Sequence, residues 1–134
     1  LSGAIAWLNE AALRFQAVGA GTIVGISSVA GDRGRAKQPV YNASKAALTA
    51  YLEALRNRLD KKGVVVSTIK PGPVETRLIA GFNFKNAMPV DVAAKKILKA
   101  AEKPGEHYLS FIHRIIFTAI RLTPGWFFRR YGPP

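Results

Sequence analysis

The chain contains no cysteine. That excludes a disulfide framework and a cysteine metal site, and it is compatible with a reducing compartment, so a cytoplasmic location is expected. No signal-peptide pattern occurs at the start, where Leu1 to Val18 has the periodicity of an amphipathic helix. There is no internal repeat and no low-complexity segment. Acidic residues are few: eight Asp and Glu stand against twenty Lys and Arg, a formal net charge of +12. Such an excess raises affinity for anions of any kind, whether nucleic acid, acidic lipid or a phosphorylated substrate or cofactor. No nucleic-acid motif accompanies the charge, and it is spread along the chain rather than gathered in one arm, so no nucleic-acid partner is expected. What is present is ordinary for a globular protein, 49% hydrophobic and 21% charged, in 134 residues. That length suffices for one small domain with its own core.

Periodicity divides the chain into helices and strands. Ile5, Leu8, Ala12 and Phe15 recur at helical spacing, and Gly19 and Gly21 stop that helix. With no cap or start methionine before it, the chain reads as a fragment. Thr22 to Ile26 is a short apolar run bounded by glycine, predicted as a buried strand. Val29 to Gln38 follows as a polar loop, with Asp32, Arg33, Arg35 and Lys37 expected in solvent. Pro39 opens a long helix to Lys61 whose apolar stripe is Ala47, Leu48, Tyr51, Leu52, Leu55 and Leu59. Gly63 ends it. Val64 to Ile69 is β-branched and nearly continuous, as a parallel strand covered on both faces tends to be. Strand, helix and strand over 22–69 form one βαβ crossover. Pro71 and Pro73 break the second strand, and the segment to Met88 is turn-rich and expected to be mobile. Pro89 opens a helix to about Lys103, with Ala93, Ile97, Leu98 and Ala101 inward and Lys95, Lys96 and Lys99 outward. His107 to Ser110 is read as a short last strand.

Chemistry concentrates at the start of the long helix, in Tyr41-Asn42-Ala43-Ser44-Lys45. Tyr41 and Lys45 stand at i and i+4 and share a face, with Cβ atoms roughly 5–6 Å apart. A cation beside a phenol favours the phenolate, which suits a general acid/base. Ser28, thirteen residues before Tyr41 and just past an apolar strand, can donate a hydrogen bond to a reacting oxygen.

The run Gly21-Thr22-Ile23-Val24-Gly25-Ile26-Ser27-Ser28-Val29-Ala30-Gly31, then Tyr41 to Leu48, then Pro71-Gly72-Pro73-Val74-Glu75-Thr76, resembles the short-chain dehydrogenase/reductase family in order and spacing over residues 1–105. The resemblance implies an α/β fold, a Rossmann-like doubly wound parallel sheet over 1–110. It also implies an NAD(P)-dependent oxidoreductase interconverting an alcohol and a ketone. In that scheme Tyr41 exchanges the substrate proton, Lys45 assists it and bonds the nicotinamide ribose, and Ser28 polarises the substrate oxygen. Ser27 competes for the serine role, but the thirteen-residue spacing matches Ser28. Pro71, Gly72, Val74 and Thr76 match the loop at the nicotinamide end, where Gly72 permits close backbone approach. The family's glycine-rich phosphate loop is not among these residues, and its catalytic asparagine would fall immediately before Leu1. The expectation is therefore that the N-terminal half is absent and that these residues alone neither hold the cofactor tightly nor turn over. No residue separates NAD from NADP, and the lean to NADP follows the basic charge. The family also implies a homo-oligomer, with Leu8, Phe15, Leu52 and Leu59 on helix faces available for a dimer. His107 and His113 have no partners at metal spacing and are read as structural or surface residues, with no metal.

The tail, 111–134, departs from the commonest family ending. Phe111 to Leu122 is apolar except for His113, Thr118, Arg114 and Arg121, and Pro124-Gly125 separates it from Trp126-Phe127-Phe128-Arg129-Arg130-Tyr131. A spanning helix needs about 20 apolar residues, so an interfacial helix fits better. Two readings are open: contact with an anionic membrane through 111–131, or packing on the body or a second subunit. The tail resembles that of the family members with a hydrophobic, basic C-terminus, several of which act on lipids or lipid-linked substrates, and the resemblance implies a hydrophobic or lipid-linked small-molecule substrate. A non-catalytic membrane-associated binding protein on the same scaffold is the alternative function.

Overall fold

The computed structural model describes residues 1–77 and 87–132. Helix α1 (Ser2–Val18) leads into strand β1 (Gly21–Ile26), and a short 3₁₀ turn (Val29–Gly31) precedes helix α2 (Pro39–Leu59). Strand β2 (Val64–Lys70), helix α3 (Val90–Ala101) and strand β3 (Gly105–Tyr108) follow, then helices α4 (Phe111–Leu122) and α5 (Gly125–Tyr131). The three strands form one parallel sheet in the order β1-β2-β3. Each strand-to-strand connection carries a helix, α2 for the first crossover and α3 for the second, as parallel pairing requires.

Alternation along the strands divides the core in two. Ile23 and Val66 point to one face, where Ala12 of α1 and Leu48, Leu52, Leu55 and Leu59 of α2 cover them. Val24 and Ile69 point to the other, against Ala93 and Ile97 of α3 and Leu109. The sheet is thus covered on both sides, which explains the unbroken apolar character of β2. Arg56 of α2 ties the layers together, bonding the Val66 carbonyl at 3.0 Å, Thr68 Oγ1 at 2.7 Å and the Gly105 carbonyl at 3.1 Å.

The structure corrects several expectations. Leu52 and Leu59 are buried, and Leu8 and Phe15 pack against the same cluster, so these four residues build the core rather than a free dimer face. Leu98, expected inward, is 70% exposed. α3 is shorter than its apolar spacing suggests, ending at Ala101, and its inward face is carried by Ala93, Ile97 and Ala100. β3 begins at Gly105, two residues earlier than expected, because its pairing with β2 runs from Ser67↔Gly105 to Lys70↔Tyr108. Of the segment expected to be mobile, residues 78–86 lie outside the described residues.

Candidate active site

Three pieces converge at the carboxyl ends of β1 and β2, the edge where ligands sit in open α/β sheets. The parallel pairing continues past the strands: Ser27 N–H donates to the Ile69 carbonyl at 2.8 Å and Val29 N–H to the Pro71 carbonyl at 3.2 Å. This sets the Ser27-Ser28 pair beside the Pro71–Val74 loop. The start of α2 lies against the same end, because Lys45 Nζ donates to the Ile26 carbonyl at 3.0 Å. That ammonium stands 5.8 Å from the centre of the Tyr41 ring, and Tyr41 is 46% exposed. The i, i+4 spacing therefore brings the two side chains onto one face.

Consecutive strand residues point in opposite directions, and this separates the two serines. Ser27 Oγ bonds the Lys45 carbonyl at 3.0 Å and Thr49 Oγ1 at 2.7 Å, so its hydroxyl is committed to α2. Ser28 Oγ only accepts, from Ala30 N–H at 3.1 Å. Its own hydrogen has no acceptor among the described residues.

Asn42, to which residue spacing assigns no role, holds the arrangement together. It is buried, donates Nδ2–H to the Ala30 carbonyl at 2.7 Å and accepts from Arg35 N–H at 3.0 Å. These two bonds fasten the loop after β1 to the first turn of α2. Gly31 permits the same approach, since a Cβ there would lie 2.8 Å from the Lys45 carbonyl carbon.

At the end of β2, Val74 forms a parallel bridge with Met88. Glu75 N–H donates to the Met88 carbonyl and Met88 N–H to the Pro73 carbonyl, each at 2.9 Å. In such a bridge the N–H and C=O of Val74 itself face away from Met88. Neither has a partner among the described residues. Thr76 is exposed just beyond.

A family model described as short chain dehydrogenase matches residues 1–87. The chain belongs to the short-chain dehydrogenase family. It is 48% identical over 64 residues to an uncharacterized oxidoreductase of Myxococcus xanthus, covering 48% of this chain and 25% of that protein. It is 45% identical over 65 residues to an acetoacetyl-CoA reductase of Allochromatium vinosum, covering 48% and 26%. The chain thus spans about a quarter of these two relatives' lengths. Among solved structures, a short chain dehydrogenase from Burkholderia cenocepacia in complex with NADP superposes with a TM-score of 0.74 at 22% identity, covering 90% of this chain and 50% of that one. A second, from Streptomyces avermitilis, gives 0.59 at 20% identity, covering 80% and 48%. These two likenesses show the fold, a Rossmann-like α/β arrangement of which this chain forms part.

The nicotinamide group that the short-chain dehydrogenase family implies can be tested against the residues present. The unpartnered N–H and C=O of Val74 suit an amide, and the Lys45 ammonium retains donors beyond the one given to Ile26. The residues at this end fit the group.

The loop after β1 differs from the solvated loop expected. Asp32 has a side chain only 2% exposed, bonded to Lys70 Nζ at 2.7 Å. Lys70, itself 1% exposed, also meets Glu106 at 2.6 Å, and Tyr108 O–H donates to the other Asp32 oxygen at 2.9 Å. Burial works against the Lys70 charge, but the bonds and charges of Asp32 and Glu106 outweigh it and raise the lysine pKa. Burial, then the bond to Asp32, raises that of Tyr108. Sequence reading ended the strand at Ile69, and no local pattern marked Lys70 as the centre of a buried cluster.

The tail rests on this cluster. Arg121 of α4 lies 3.9 Å from Glu106, Arg33 Nη1 donates to the Arg121 carbonyl at 3.4 Å, and the Arg33 guanidinium sits 4.9 Å above the Phe128 ring. At the other end of α4 the His113 ring fills the space over Gly72, where any Cβ would overlap it. His113 Nδ1 is buried with no partner among the described residues. So α4 crosses the strand ends with His113, Phe117 and Ile120 inward, and leaves Phe111, Ile112, Ile115, Ile116 and Leu122 exposed. One side of α4 therefore packs on the body, and the opposite side is exposed among the described residues.

Proposed function

We propose that this chain supplies the proton-transfer residues of an NAD(P)-dependent oxidoreductase that interconverts an alcohol and a ketone. When bound, the nicotinamide supplies or accepts the hydride. Ser28 donates its free O–H to the substrate oxygen and so orients it. Tyr41 gives that oxygen its proton in reduction and takes it back in oxidation. Lys45, fixed by the Ile26 carbonyl, stabilises negative charge on the phenol oxygen and offers donors to the ribose. Pro71, Val74 and Thr76 face the nicotinamide end, with the Val74 backbone groups bonding its amide and the Thr76 hydroxyl within the same loop. The close approach to the cofactor expected of Gly72 in this loop is taken instead by His113 of α4.

The observation that carries the reading is the division between the two serines at the end of β1. Ser27 is bonded into α2, while Ser28 keeps a free donor at the strand end to which Lys45 is pinned. The basic balance of the chain favours the additional phosphate of NADP. The exposed side of α4, with Trp126, Phe127 and Tyr131 of α5 and the nearby Arg114, Arg129 and Arg130, favours a hydrophobic or lipid-linked substrate met at an anionic membrane surface. In this reading contact through 111–131 is peripheral and the protein is cytoplasmic; among the described residues no helix is long and apolar enough to cross a membrane. A homo-oligomer through α1 would use Trp7 and Leu13, 79% and 51% exposed, since Leu8 and Phe15 are engaged in the core.

The test is turnover of the protein in its natural length with NADPH and NADH on ketones of increasing chain length. Consumption that rises with chain length and prefers NADPH supports the reading. Absence of consumption with every ketone, despite bound cofactor, overturns it in favour of a binding role.

A further inference from the structure

On the α3 side of the sheet edge, α3, β3 and the first turn of α4 line an open hollow of about 330 Å³, which none of the proton-transfer residues borders and whose wall includes Glu106 and Tyr108 of the buried charge cluster. It lies two strands from β1, about 10 Å at the usual spacing between strands. Its walls carry Lys96, Lys99, Lys103 and Arg114, with His107 between them. None of the four cations forms an ion pair among the described residues. The single carboxylate in the wall, Glu106, is held at 2.6 Å by Lys70.

Two of the basic groups are positioned. Lys96 Nζ donates to the Leu109 carbonyl at 2.8 Å, which fixes the ammonium and leaves two donors free. His107 Nε2 lies 2.9 Å from the Lys103 carbonyl, and because a carbonyl only accepts, Nε2 carries the hydrogen. Lys99 stands in the last turn of α3 and Lys103 just past its end, so the helix and the loop after it each bring a cation to the same hollow. Convergence from three elements on one hollow distinguishes this group from a solvated basic face.

We propose that this cavity is a phosphate-binding site, taking a phosphate monoester as its dianion through Lys96, Lys99, Lys103 and Arg114. Two sources share that chemistry: the headgroup of a membrane lipid, presented beside the exposed face of α4, and a soluble phosphate ester. The inference stands apart from the oxidoreductase reading, because it uses none of the same residues.

The experiment titrates inorganic phosphate at constant ionic strength into the protein in its natural length, followed by calorimetry or NMR. The pocket variant Lys99→Gln/Lys103→Gln is compared with Lys61→Gln/Lys62→Gln, which removes the same charge from the exposed α2–β2 turn. Saturable binding weakened about tenfold or more in the pocket variant and unchanged in the control is expected. No saturable binding, or equal loss in both variants, overturns the proposal. A second arm uses phosphatidylcholine vesicles carrying equal fractions of phosphatidic acid or phosphatidylserine. A preference for phosphatidic acid that the pocket variant loses assigns the site to a lipid headgroup. Saturable phosphate binding without that preference supports the site and assigns it to a soluble ester. Failure to bind any vesicle, with phosphate binding intact, refutes only the membrane reading.

Discussion

Ser27 and Ser28 are identical residues one position apart, and strand alternation makes them chemically different. Replacing Ser27 by alanine removes two hydrogen bonds to α2 and is expected to cost about 1–3 kcal/mol of stability with kcat nearly unchanged. Ser28→Ala is expected to lower kcat about 100-fold with little loss of stability, because its donor serves the substrate rather than the fold. Urea unfolding and steady-state kinetics on the two variants check both statements. Lys70 makes a second contrast. Lys70→Met leaves Asp32 as a buried carboxylate without its cation and takes the nearer of two cations from Glu106, and unfolding free energy is expected to fall by about 3–5 kcal/mol. Because the folded Lys70 pKa is raised, its contribution is complete below the unfolded value of about 10.4 and disappears as pH climbs through the folded value. Tyr108, also raised, acts in the same direction. Stability of the wild type is thus expected to decline above about pH 10, and the Lys70→Met variant to show a flatter decline. The tyrosine–lysine pair was legible in the sequence because i, i+4 on a helix is a local geometry. Asp32 and Lys70 were not, because an ion pair across 38 positions leaves no periodic trace and a charged loop residue ordinarily faces water.

At the scale of elements, α2 is the part on which the site depends. Its apolar stripe and opening proline were readable, and its placement against β1 rests on Leu52, which is fully buried. Leu52→Ala is expected to destabilise by about 2–5 kcal/mol, measured by denaturant unfolding. Asn42 decides the finer placement. Asn42→Ala removes both bonds between α2 and the loop after β1, and is expected to lower kcat while KM for cofactor changes little. A purely structural residue would reduce only the thermal midpoint. Nothing in the spacing of Asn42 distinguishes it from a polar residue on a solvated first turn, and only the fold shows it buried. β2 was legible to within one residue, since β-branched runs seldom form anything else. The inward face of α3 was assigned one residue too far, at Leu98, because α3 covers the sheet only along Ala93, Ile97 and Ala100. The tail helix was legible as amphipathic, but the side that packs was not, because His113 and Arg121 reach partners that are distant in sequence.

For the molecule as a whole, the sheet edge at the carboxyl ends of β1 and β2 unites the serines, the tyrosine–lysine pair, the Pro71–Thr76 loop and the tail. The apolar outer side of α4 is expected to carry the protein onto anionic vesicles. Ile112→Asn/Ile115→Asn should abolish co-flotation, and because both side chains are exposed the fold should survive. The central claim is that Tyr41 transfers the substrate proton. The measurement that tests it most directly is the kinetics of Tyr41→Phe in the protein of natural length, with nicotinamide binding and turnover followed on the same sample. Retained cofactor affinity with turnover reduced about 100-fold or more is the predicted result. Turnover by Tyr41→Phe at the wild-type rate would contradict it.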